Sequence, residues 1–237
     1  MPAPSVNASE SVDGITSATA VTPAFAVGGS NRVLYAGVHI SGGSPGTVTA
    51  CKWGGSGGTS MTQVYDSGVV ESFLRLYVFR LIAPTAMTDT VHVTFNAAQD
   101  EYGLIAVAIQ DCDQTTPNGT IVGANGNALS PGPSVAVSSE VGGFVIDFVS
   151  RFVYGPSGLS VGAGQTQIKQ GAAGSGSDYF SVASSSEPGA TTTTMTWGDV
   201  GNGTISNWQW VQAGIPLKEV SGGGGGGSSN ALAWIRA

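Results

Sequence analysis

Few side chains in this chain are suited to chemistry. The two histidines, His39 and His92, each sit inside an alternating apolar stretch, VLYAGVHI and TVHVTF, so surface or edge histidines on strands are expected rather than a catalytic base. The two cysteines, Cys51 and Cys112, are too few for a disulfide scaffold and form no CxxC pair. Reduced thiols of small apolar character are expected, and a bridge between them stays open. There is no HExxH, and a zinc site built from several His and Cys would consume nearly all four of these residues. No metal or other cofactor is therefore expected. Among the acids, Asp111 and Asp113 flank Cys112 at the end of an apolar run, and Asp147 lies within FVIDFV. Glycoside hydrolysis needs two carboxylates set across a sugar cleft. The Gln-Thr-Thr-Pro that follows Asp113 instead marks a strand-to-turn cap, and Asp147 reads as a rim residue or a buried acceptor. Calcium at Asp111 and Asp113 lacks an EF-hand loop to support it. Gly55-Ser56-Gly57 and Gly174-Ser175-Gly176 sit in glycine-rich turns, not in the strand-to-helix turn of a nucleophile elbow. Asn118-Gly119-Thr120 and Asn202-Gly203-Thr204 fit the glycosylation pattern, a match that a chain rich in Asn, Ser and Thr makes by chance. No catalytic residue is assigned, and no enzymatic activity is expected.

Aromatic residues carry a binding alternative, because a sugar site can be built on flat exposed rings. Trp208 and Trp210 share one face of a strand, and Trp53 and Tyr65 lie in or near loops. These four form the candidate sugar platform. Core or subunit interface is the competing reading for the same residues.

The elements that must position these groups read as strands. Residues 32–40 (RVLYAGVHI), 72–82 (SFLRLYVFRLI), 90–95 (TVHVTF), 102–110 (YGLIAVAIQ), 134–138 (SVAVS) and 144–150 (FVIDFVS) are rich in β-branched and aromatic residues. Several alternate with period two, and SGGSPG, GGSGG, NGN, SPGP and GPSG separate them as turns. Composition agrees. The 237 residues include 37 glycines without a Gly-X-Y period, and hydrophobic residues make up 41%. That excludes collagen and disfavours both disorder and a mainly helical fold. Only 10% of residues are charged, and the net charge is −7. The 8 Lys and Arg are scattered rather than clustered, which argues against nucleic-acid binding. No apolar run approaches a membrane span, and MPAPSVNASESVDG lacks the features of a secretory signal. The expected fold is all-β: an antiparallel, jelly-roll-like β-sandwich.

The strand segments look like an internal duplication, against the alternative that any two β-rich segments resemble each other. VLYA at 33–36 parallels FVID at 144–147, TQV at 62–64 parallels TQI at 166–168, and TVHVTF at 90–95 parallels TTTMTW at 192–197. Residues 102–109 parallel 208–215 in the same way, at an offset of about 102 to 112 residues throughout. The expected organisation is an N-terminal arm at 1–29, a sandwich at 30–220 with half-repeats 30–117 and 134–220, and a tail at 221–237. The two halves should pack face to face as one domain. The tail begins with a hexaglycine at 222–227 and ends in ALAWIRA. A Gly/Ser linker of about nine residues has an r.m.s. span of ~15 to 18 Å. Leu232, Trp234, Ile235 and Arg236 beyond it read as a partner-binding hook with Trp234 as anchor, or as a tail that folds back on its own domain.

The order NRVLYAGVHI, TACKWGG, MTQVYD, FLRLYVFRLIAP, DTVHVTF, YGLIAVAIQDCDQTTP, PSVAVSS, GGFVIDFVS, GAGQTQ and TTTMTW resembles β-sandwich modules of tailed-phage virion proteins, prophages and bacterial surface proteins. The sharpest pieces are Asp113-Gln114-Thr115-Thr116-Pro117 and Ala163-Gly164-Gln165-Thr166-Gln167. The resemblance implies a sandwich without enzymatic activity, displayed on a particle. With the hexaglycine-linked tail, it implies a head decoration (cement) protein or spike made in the host cytoplasm and located on the virion. Its expected partners are the major capsid protein or other virion subunits, in a homotrimer, with no nucleic acid and no membrane. The alternative is a carbohydrate-binding adhesin or a tail-associated receptor-binding protein.

Overall fold

The computed structural model describes residues 2–127, 132–154, 158–174, 178–200 and 209–220. These form seventeen strands: β1 (Ser5–Val21), β2 (Phe25–Val27), β3 (Val33–Ser41), β4 (Val48–Trp53), β5 (Thr59–Ser60), β6 (Thr62–Asp66), β7 (Leu74–Ile82), β8 (Met87–Asp89), β9 (Val91–Gln110), β10 (Val122–Gly126), β11 (Ser134–Val137), β12 (Phe144–Tyr154), β13 (Gly158–Val161), β14 (Thr166–Ala173), β15 (Asp178–Pro188), β16 (Thr193–Val200) and β17 (Gln209–Leu217). Every pairing between them is antiparallel, and the described residues contain no helix. The fold is the all-β sandwich expected from the sequence.

Alternation of side chains across each strand builds more than one core. Val33 and Tyr35 of β3, Leu74, Leu76 and Val78 of β7, and Ile105, Val107 and Ile109 of β9 face Ile146, Phe148, Phe180, Val182, Val211, Ala213 and Ile215 of the opposite sheet. The intervening residues Leu34, Ala36, Val38 and Ile40 point the other way. They meet a second core in which Trp53, Cys51, Phe25, Val91 and Val93 are buried. The seven-stranded sheet, ordered β5-β4-β9-β3-β7-β6 with β1 along β9, curls to enclose that second core. Residues 91–95 of β9 pair with β4 and residues 101–109 with β3, so one strand belongs to both walls of the curl. The five-stranded sheet β10-β17-β12-β15-β14 is covered on its back by β11-β16-β13, where Val135, Val137 and Met195 pack on Val145, and Leu159 and Trp197 on Val149 and Ala183.

The two facing sheets repeat one strand order. Read outward through the sheet, β6-β7-β3-β9-β1 corresponds to β14-β15-β12-β17-β10. Across the central core β7 lies against β17, β9 against β15 and β3 against β12, while β1 lies beside β14. Exchanging the halves maps each of the first two pairs onto the other, a twofold relation centred near Gly37 and Phe148.

The N-terminal segment departs from expectation. The described residues of the expected arm at 1–29 do not hang free, because β1 runs antiparallel along β9 from Ser5↔Gln110 to Val21↔His92. Its Ser- and Thr-rich composition suits a strand whose residues are mostly half-buried, so the segment carried no apolar alternation by which to recognise it. The tail at 221–237 lies outside the described residues.

Candidate functional site

Most of the chemically capable groups are held inside the sandwich. Cys51 and Cys112 are both buried and unbridged. Burial pushes both thiols up, Cys112 to about 12 with help from the neighbouring Asp111 and Asp113 charges. His39 is not the surface or edge histidine expected. It is fully buried in the space between the sheets, ring edge towards Phe148 at 6.3 Å between centroids. Burial lowers its pKa to about 3, and neither ring nitrogen has a hydrogen-bond partner. His92 is partly buried on β9, paired with Lys52 and Val21.

Asp147 is the buried acceptor of the two readings offered for it. Its Oδ1 accepts from Ser185 N at 2.8 Å and Ser185 Oγ at 2.7 Å, and its Oδ2 from Trp197 Nε1 at 2.6 Å and Gln212 Nε2 at 2.7 Å. Burial raises the carboxyl pKa, and these donors oppose the rise. One side chain thereby ties β12 to β15, β16 and β17. Asp113 forms the expected cap: its Oδ1 accepts from Thr115 N at 2.8 Å and Thr116 N at 2.7 Å. Asp111, with φ 59°, accepts from Ser30 Oγ at 2.7 Å. Asn118, the first glycosylation match, is engaged within the fold. Its Oδ1 accepts from Tyr35 Oη at 2.9 Å and Arg80 Nη1 at 2.6 Å. Asn202 lies outside the described residues.

The candidate sugar platform is not assembled. Trp53 is 1% exposed in the core of the curled sheet, tilted against Phe25 at 5.1 Å and donating from Nε1 to Thr85 O at 3.4 Å. Trp210 is buried over Gly126 on the back of the five-stranded sheet. Tyr65 is half-buried, with its hydroxyl against Gly123. Trp208, together with the hook residues Leu232, Trp234, Ile235 and Arg236, lies outside the described residues. Of the two readings offered for them, Trp53 and Trp210 follow the core one and not the exposed platform.

Among the described residues, two solvent-open recesses lie at opposite ends of the sandwich. At one end the Asp113, Thr115, Thr116 turn, Glu140 and the segment from Lys218 to Val220 surround a recess of about 530 Å³. At the other, Ile15, Phe73, Phe152, Asp100 and Glu101 surround a cavity of about 300 Å³. Phe73, in the turn before β7, and Phe152 of β12 meet at 4.4 Å between centroids with their ring planes tilted by 54°. Beside them Ile15 is 54% exposed. The sequence offered one sign of this cavity: Asp100-Glu101 interrupts the apolar run of β9 where an uninterrupted strand would continue. The meeting of Phe73 and Phe152 depends on how the sheets are stacked, which no local pattern encodes.

Among the described residues no group of three or more His, Cys, Asp or Glu gathers as metal ligands, and no helix is long and apolar enough to cross a membrane. Comparison with protein-family models, with curated proteins and with solved structures gives no match.

Proposed function

We propose that this chain is a non-enzymatic structural protein of a tailed-phage virion, of the head decoration (cement) kind. In this reading it binds the major capsid protein and neighbouring copies as a homotrimer, using the sandwich surface and the tail residues Leu232, Trp234, Ile235 and Arg236. The observation that carries it is the commitment of the candidate reactive groups to the framework. Asp147 has four donors, Asp113 caps a turn, both thiols are buried, and His39 is enclosed between the sheets. Exposed apolar side chains at Ile15, Val21, Val69 and Val141 and the sparse charge suit burial against other subunits. Many weak contacts then add up through avidity.

Co-sedimentation with undecorated phage heads tests this directly. The full chain should pellet with heads, and a chain ending at Val220 should do so at least tenfold less. Strong signals on a glycan array without head binding would favour the adhesin alternative.

A further inference from the structure

We propose that the end cavity lined by Ile15, Phe73, Asp100 and Glu101 binds a small organic cation, a free alkylammonium or alkylguanidinium ion. This ligand site is independent of the assembly role.

Three strands lay one row of side chains under the cavity. Glu101 of β9 is the register partner of both Ser41 of β3 and Ile15 of β1. Partners in an antiparallel ladder project to the same face, with Cβ atoms ~4.5 to 5.5 Å apart. Ile15 and Glu101 line the cavity, so Ser41 is aimed towards it from beneath. Ser41 is 1% exposed, and its Oγ has no hydrogen-bond partner within the protein. A buried hydroxyl without a partner is costly, and a ligand donor entering from the cavity satisfies it.

The mouth is shaped to seat a second carboxyl group. Asp100 Oδ2 lies 2.5 Å from where a Cβ at Gly42 would be, and Gly42 has φ 139°. A residue without a Cβ leaves the carboxyl group that seat. Gly43 beside it faces open space. Gly42 N donates to Phe73 O at 3.1 Å, which holds Phe73 at the same rim. Its half-buried ring lines the cavity and is backed by Phe152.

These groups are rich in acceptors. Two carboxyl groups and the Ser41 hydroxyl converge, and no Lys, Arg or His is among the lining residues. A neutral polyol would cover the carboxyl groups without a counter-charge. An ammonium or guanidinium supplies both the donors and the charge, while the Phe73 ring face favours a cation and Ile15 offers packing to an alkyl chain. The volume of about 300 Å³ is at the lower end for small-molecule pockets, which suits a ligand of this size.

NMR titration of the full chain tests the site, with butylguanidinium as the probe and glucose and butanol as neutral comparisons. Butylguanidinium should shift the amides of Ile15, Gly42, Gly43 and Gly174 saturably, with a Kd on the order of 1 mM, and added salt should weaken binding. Asp100→Asn, at an exposed position, should weaken it about three- to tenfold with the fold intact. Ser41→Ala should weaken it about two- to fivefold. The absence of a saturable shift, equal binding of glucose or butanol, or an affinity that Asp100→Asn leaves unchanged overturns the proposal. Arg236 of the tail carries the same guanidinium group. Probe binding that appears only after Arg236→Gln assigns the cavity to the chain's own tail and overturns the proposal of a free ligand.

Discussion

His39 occupies a place where a neutral ring is tolerated and a charged one is not. The unfolded chain binds a proton at this side chain near pH 6.5, the folded chain only near pH 3. Between those values the unfolded state holds more protons, so stability falls as pH is lowered, by at most about 1.4 kcal/mol per pH unit. Asp147 works in the opposite direction. Its raised pKa adds stability at low pH that is lost as pH rises through the folded-state value. Comparing variants isolates the histidine: urea unfolding of His39→Leu from pH 7 to pH 4.5 should show about 2 to 3 kcal/mol less loss than the parent chain. Equal losses would contradict the account. The sequence placed His39 on a strand but on the wrong side of the solvent boundary. Alternation tells which residues share a face. It does not tell that both faces of a strand are covered, and all nine residues of β3 are buried.

At the scale of elements, glycine does more than turn the chain. A Cβ at Gly37 would collide with the Phe148 ring, and one at Gly103 would lie 2.7 Å from Val182 Cγ1. These strand glycines form hollows into which side chains of the facing sheet descend. Gly37→Ala should cost about 1 to 3 kcal/mol through overpacking, whereas Gly43→Ala, with open space around it, should change stability by less than ~0.5 kcal/mol. Thermal unfolding of the two variants checks the contrast, and equal effects would refute it. The turn glycines were legible from their clusters; these were not, because the partner is distant in sequence. The same holds for β1. Its polar composition gives no strand signal, yet it pairs with β9 over most of its length and places Ala20 in a buried position. Deleting residues 2–21 should therefore expose the edge of β9 and give an aggregating chain rather than a trimmed, folded one, as circular dichroism and light scattering would show. A soluble product with an unchanged melting temperature would contradict this.

For the molecule as a whole, the two facing sheets share one strand order, β6-β7-β3-β9-β1 and β14-β15-β12-β17-β10. The segment parallels could be read because strand patterns recur at offsets of about 102 to 112 residues. The central core between the halves could not, since its contacts join residues about a hundred positions apart, such as His39 and Phe148. The largest core lies between the two halves and joins them into one unit, with recesses at its ends. Such a unit suits a role in assembly. Cryo-EM of phage particles purified from cells expressing the full chain tests that role most directly: the account predicts sandwich-sized density repeated on the head surface at symmetry-related sites, lost when residues 221–237 are removed. Particles that carry none of this chain, made in cells where it is abundant and folded, would contradict it.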